Sequence, residues 1–200
     1  MPRFKLLIFL LLFRLGWSAD ISYLEAFASA NRYEDVKNYP AAIEYYKKTI
    51  ELEPRFAGGY NGLGFVYLEQ ELYTQARTEL HKALALQPKH IPALMNIGAS
   101  YYRENDYAQA EKYFEQVLAI APQNPRACAN LAVIRYRQKD YLAAWGYYQR
   151  AKQQDEEYLK QRYNKEKSLK EVELLRQERP HDPRLKALEE RIKNEEVFLP

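Results

Sequence analysis

Between residues 57 and 124 one pattern is written twice, at an interval of 34 residues. Tyr67 recurs as Tyr101, Tyr73 as Tyr107, Ala76 as Ala110 and Pro88 as Pro122, and the pair Leu63-Gly64 returns as Ile97-Gly98. The same interval reaches back to Tyr33, Tyr39, Ala42 and Pro54, and forward to Leu131, Ala132, Tyr141 and Ala144. A fixed period of this length marks a stack of supersecondary units, each too small to bury its own apolar face. Two hundred residues leave room for about four such units: 23–56, 57–90, 91–124 and a degraded fourth copy over 125–158.

Each unit reads as two helices. Ala42, Ile43, Tyr46 and Ile50 follow at helical intervals, after a start at Tyr39-Pro40, where proline is tolerated in a first turn. Lys37-Asn38 make the turn before it. Gly64 and Gly98 sit mid-helix, where glycine costs roughly 0.5–1 kcal/mol against alanine. Close helix–helix approach, with Ala76 and Ala110 as the matching small surface, offsets that cost. Pro88 and Pro122 end the second helices. The fold expected is all-α: a right-handed α-solenoid of stacked antiparallel helix pairs, with a charged C-terminal helical extension.

These residues resemble the tetratricopeptide repeat family. Tyr60, Leu63, Gly64, Tyr67, Tyr73, Ala76, Leu80, Ala83 and Pro88 follow its motif, and Leu94, Ile97, Gly98, Tyr101, Tyr107, Ala110, Phe114, Val117 and Pro122 follow it again. The resemblance spans roughly residues 23–156 and implies a concave surface lined by first helices, on which the family binds peptides or helices. The positions it carries over are Asn61, Phe65, Leu68 and Glu69 in the second copy, and Met95, Asn96, Ala99, Tyr102 and Arg103 in the third. Ala129, Asn130, Val133, Tyr136 and Arg137 follow in the fourth, and Leu24, Phe27 and Asn31 extend the surface. Asparagine both donates and accepts, which suits a peptide backbone. Tyr102 and Tyr136 offer contact area with a polar tip, and Arg103 and Arg137 can meet a carboxylate. Some family members clamp a C-terminal carboxylate with Lys, Arg and Asn on three repeats. Only the Asn positions stand here, and Ala99 and Val133 make the floor more apolar, so such a partner is not the first expectation.

The ends read differently. Arg3 and Lys5 precede an apolar run from Leu6 to Phe13, too short to span a bilayer, and Gly16-x-Ser18 supplies a small-x-small cut site. Residues 1–18 are therefore expected to be a signal peptide cleaved after Ser18, with a retained anchor or a chance apolar start as alternatives. The mature protein would be periplasmic, in the cell envelope or secreted, and would have no membrane span. Residues 152–200 hold 12 Lys or Arg and 12 Asp or Glu. Residues 152–178 are expected to continue the fourth repeat's second helix into solvent, leaving that repeat's polar outer face uncovered. Asp182-Pro183 then starts a helix whose stripe, Leu185, Leu188, Ile192 and Leu199, docks back on the long helix, on a second copy or on a partner.

Nothing points to an enzyme. His81, His90 and His181 have no second ligand at metal spacing, and Cys128 is the one cysteine, so neither a metal centre nor an intrachain disulfide is expected. Gly58, Gly59 and Gly62 follow no strand and cradle no phosphate. The formal charge of +3 resides in residues 1–18; the remainder carries 27 basic and 27 acidic residues, which argues against nucleic acid. The function expected is a cofactor-free adaptor that holds a segment of another protein. The alternative is a structural protein that self-assembles, as a homodimer, through its C-terminal helices.

Overall fold

The computed structural model describes residues 22–162, 165–178, 182, 184–186 and 189–190. The expected signal peptide, residues 1–18, lies outside them, as do Leu188, Ile192 and Leu199 of the C-terminal stripe. Among the described residues the regular elements are all helices. A first helix, α1, covers residues 22–35. It is followed by α2 (Tyr39–Leu52), α3 (Ala57–Glu69), α4 (Tyr73–Leu86), α5 (Ile91–Arg103), α6 (Tyr107–Ile120), α7 (Pro125–Arg137), α8 (Tyr141–Gln154), α9 (Glu156–Arg162) and α10 (Lys165–Glu178). They gather into two compact units, one up to Tyr113 and the other from Phe114.

The turn inside each helix pair is the same four times. Lys37, Glu71, Asn105 and Lys139, each 34 residues after the last, take positive φ of 56°, 62°, 63° and 65°. In the first turn the Lys37 amide bonds the Glu34 carbonyl and the Asn38 amide bonds the Tyr33 carbonyl, both at 2.8 Å. This paired arrangement satisfies two carbonyls that a helix end leaves orphaned. The residue after each turn caps the next helix. The side chains of Asn38, Asp106 and Asp140 accept from the amides of Ala41, Gln109 and Ala143. Leu72 holds the same place before α4 and makes no side-chain cap.

In the first unit α3 packs on α4, and α2, α3, α4 and α5 touch in succession. A β-carbon on Gly64 would lie 2.6 Å from Leu80 Cγ and 3.1 Å from the Ala76 carbonyl oxygen. The glycine is therefore the point of closest approach, as its helix-interior position implied. Two core clusters follow from this packing. One joins Ala30 of α1, Ala42 and Tyr46 of α2, and Leu63 and Val66 of α3. The other joins Ala57 and Leu68 of α3, Ala76, Leu80 and Ala83 of α4, and Ala93 and Ile97 of α5. In this unit α1 and α2 hide their apolar face on α3, and α3 and α4 hide theirs on α5, which is why an isolated pair cannot hold its shape.

The second unit departs from expectation. In α7, Ala127–Ala129 and Leu131–Ile134 are all buried, the pattern of a helix covered on most sides. The long helix expected over residues 152–178 is three helices. The first break is at Asp155, whose carboxylate accepts from the Tyr158 amide at 2.8 Å and starts α9. Nor does the charged segment run out into solvent. Val172 of α10 is 1% exposed and packs with Leu169 against Tyr136 of α7 and Trp145 of α8. The last repeat is thus covered by the chain's own α10, correcting the expectation that nothing covers it. A sparse apolar face suffices where the charged residues around it stay in water. Leu185 is buried, and Arg176 of α10 pairs with Glu189 at 2.7 Å, which ties Glu189 back to α10.

Candidate functional site

The first unit contains an open cleft of about 370 Å³. Its walls come from three first helices. Phe27, Asn31 and Glu34 recur at helical spacing along α1; Gly58, Asn61, Gly62 and Phe65 do so along α3; His90, Pro92 and Asn96 come from the start of α5. Tyr46 of α2 reaches it from behind. Gly62 makes that reach possible, because a β-carbon there would lie 2.2 Å from Tyr46 Cε1. The ring is 1% exposed, and Phe27 stands 5.8 Å from it and 5.0 Å, edge-on, from Phe56.

The polar floor is organised by two hydrogen-bonded sets. In one, the Tyr46 hydroxyl lies 2.6 Å from Glu34 Oε2 and 2.7 Å from Asn31 Oδ1. A single hydroxyl proton cannot serve two acceptors. The charge-assisted bond to Glu34 takes it, and Asn31 completes the set with its amide turned over so that N–H donates to the hydroxyl oxygen. Burial holds the Glu34 carboxyl above its ordinary value, against the opposing hydrogen bond from Tyr46 and with smaller help from Asp35 and Glu69. Burial, with the bond to Glu34, raises the Tyr46 phenol further still. In the other set, Asn96 Nδ2 donates to Asn61 Oδ1 at 3.1 Å, a side-chain bridge between α5 and α3.

His90 caps α5: its Nδ1 accepts from the Ala93 amide at 3.2 Å. Burial lowers its pKa, and the cap itself requires Nδ1 to be unprotonated. The cleft therefore carries one acid, one neutral imidazole, three amides and two aromatic flanks, with no Lys or Arg among its lining residues. This set can hold a chain segment. No group of three or more His, Cys, Asp or Glu able to hold a metal occurs among the described residues, and none of the described helices is long and apolar enough to cross a membrane.

Of the positions carried over from the sequence, Asn61, Phe65 and Asn96 come together in this cleft, with Phe27 and Asn31 beside them. Others do not serve as expected. Leu68 is 1% exposed and belongs to the core with Ala76 and Leu80. Arg103 bonds the Leu68 carbonyl at 2.9 Å and Glu69 at 2.6 Å, tying the end of α5 to the end of α3. Its guanidinium is engaged within the chain rather than held out for a carboxylate. Tyr102 is half-buried, with its ring 5.6 Å from that of Tyr107, and Met95 is half-buried. In the second unit, Val133 and Ala129 are buried, and Tyr136 packs against Val172. Asn130 there is half-buried and Arg137 exposed.

Glu34, Tyr46 and His90 were missed from the sequence, although the repeat held two of the signals. Leu68, Tyr102 and Tyr136 share one register position, and one period before Leu68 stands Glu34. Gly62 stands where the later copies have Asn96 and Asn130. A glycine at a groove position is room for a larger side chain, and Tyr46 occupies it.

Two family models, both described as tetratricopeptide repeat, match residues 55–123 and 101–163. Together they span just over half of the chain. The chain is a tetratricopeptide-repeat protein. Solved structures agree on the fold of these repeats. MamA is 22% identical over 74% of this chain and 87% of its own, with a TM-score of 0.61. The first repeat domain of Spaghetti (RPAP3), bound to the HSP90 peptide SRMEEVD, is 23% identical over 59% of this chain and 94% of its own, with a TM-score of 0.56. The second such domain of human RPAP3, in complex with the HSP70 peptide SGPTIEEVD, is 22% identical over 58% and 98%, with a TM-score of 0.55. None of the curated proteins compared with the chain matches it.

Proposed function

We propose that this tetratricopeptide-repeat protein is a non-enzymatic scaffold that holds a segment of a partner protein in the cleft between α1, α3 and α5. The observation that carries the reading is the composition of that cleft. Phe27 and Phe65 supply apolar contact, and the Asn61–Asn96 pair leaves Asn61 Nδ2 and Asn96 Oδ1 to meet a peptide backbone. Structural relatives bound to HSP90 and HSP70 peptides support a peptide as the occupant. The basic, apolar start of the chain supports export, so the partner would belong to the envelope or the extracellular space.

The test is capture of partners by the full chain and by a Phe65→Ala/Asn96→Ala variant whose helix content is unchanged. Loss of the captured protein with the variant is the expected result. Equal capture by both proteins removes the cleft from the function.

A further inference from the structure

We propose that the cleft selects a partner segment carrying a lysine or arginine beside an apolar residue, and that Glu34 receives the cation. This rests on the reading of the cleft as a peptide site and adds the chemistry of its occupant.

The charge that lines the cleft favours a cation. Glu34 is the one acid in its lining, and His90 is neutral while it caps α5. Asp35 follows Glu34 on α1, and Glu69 at the end of α3 acts on the Glu34 carboxyl in the same sense. The nearby Arg103 is already spent on Glu69 and the Leu68 carbonyl. No described lining residue is Lys or Arg, so nothing in the cleft answers the Glu34 charge. Glu34 Oε2 takes the Tyr46 hydroxyl, which fixes the carboxylate and leaves Oε1 for a ligand. A half-buried carboxylate held above its ordinary pKa is relieved when a cation arrives. The aromatic flanks serve the same residue: Phe27 and Phe65 can cover the apolar stem of a lysine or arginine or take its charge over a ring face. An acidic segment or a terminal carboxylate meets like charge instead, and charge complementarity of this kind decides between partners.

A display library of random 12-residue peptides, selected on the immobilised full chain, reads the preference directly. The expected outcome is enrichment of lysine or arginine next to an apolar residue. A synthetic peptide of the enriched sequence should bind Glu34→Gln about tenfold more weakly, the loss of one charge-assisted contact. Glutamine keeps an acceptor for Tyr46, so this variant retains the fold; matched circular dichroism checks that. Glu34→Lys should turn the selection towards acidic peptides. Enrichment without a basic residue, or equal binding by Glu34→Gln, overturns the charge inference. In that case loss of binding by Phe65→Ala still upholds the cleft. Undiminished binding by Phe65→Ala, or no enriched peptide at all, overturns both.

Discussion

Replacing Gly64 with alanine tests the packing directly, because two opposing effects have known sizes. In an isolated helix the change favours folding by about 1 kcal/mol. Here the added methyl would sit 2.6 Å from Leu80 Cγ, 2.9 Å from Leu80 Cδ2 and 3.1 Å from the Ala76 carbonyl oxygen. Leu80 is fully buried in a core cluster, so any turn it makes presses on its neighbours there. The carbonyl belongs to the backbone of α4 and moves only if the helices part. Overpacking of this kind costs about 1–3 kcal/mol, and contact with both a buried side chain and backbone places it at the upper end. The net expectation is destabilisation by about 2 kcal/mol. For a chain of this size that lowers the melting temperature by about 4–8 °C in far-ultraviolet circular dichroism. Gly146→Ala is the control. It is also mid-helix, but a β-carbon there meets nothing within 4 Å. It should raise stability by about 1 kcal/mol. If Gly64→Ala stabilises the protein as much as Gly146→Ala, the close approach of α3 and α4 is not what the glycine provides.

Three further expectations concern the turns and caps. Glu71→Gly should stabilise the protein by about 1 kcal/mol in urea unfolding, because Glu71 holds φ 62° without the freedom glycine has there. Asn105→Gly should gain less, since asparagine tolerates that region better. Leu72→Asn should add the cap that α4 lacks, for about 1 kcal/mol, with the backbone already placed as at Asn38. The third concerns pH. The lowered His90 pKa means that the unfolded chain takes up the proton first as pH falls. Its contribution is complete above the unfolded value near 6.5 and declines between there and the lower folded value. Subtracting the pH profile of His90→Asn, which keeps a cap as Asn124 does before α7, should isolate that decline. A difference that does not vary with pH between 7 and 5 contradicts it.

The architecture was legible because the period constrains every unit at once. Gly64 opposite Ala76, the start at Tyr39-Pro40 and the helix ends before Pro88 and Pro122 all follow from the repeated pattern and simple sterics. What the period could not convey was how far a side chain reaches. Leu68, Tyr102 and Tyr136 share one register position, yet Leu68 is core, Tyr102 is half-buried beside Tyr107 and Tyr136 lies under α10. The turns were harder still, since three of the four left-handed positions hold Lys or Glu, residues that signal nothing about backbone handedness. The break at Asp155 had a readable cue, an acid followed by Glu156-Glu157 at a new helix start. It was hidden by the continuous charge on either side. The cleft was legible only in part, because Glu34 and Tyr46 emerge when the weaker first copy is aligned on the stronger ones.

The most direct measurement is photo-cross-linking in the native cells with a photoreactive phenylalanine analogue at position 65, and at the exposed Leu142 as the reference site. The account predicts a discrete adduct to a partner protein from position 65, abolished by Asn61→Ala/Asn96→Ala, and no such adduct from position 142. An adduct from 142 alone, or one from 65 that survives loss of both asparagines, would contradict the claim that this cleft is where the partner is held.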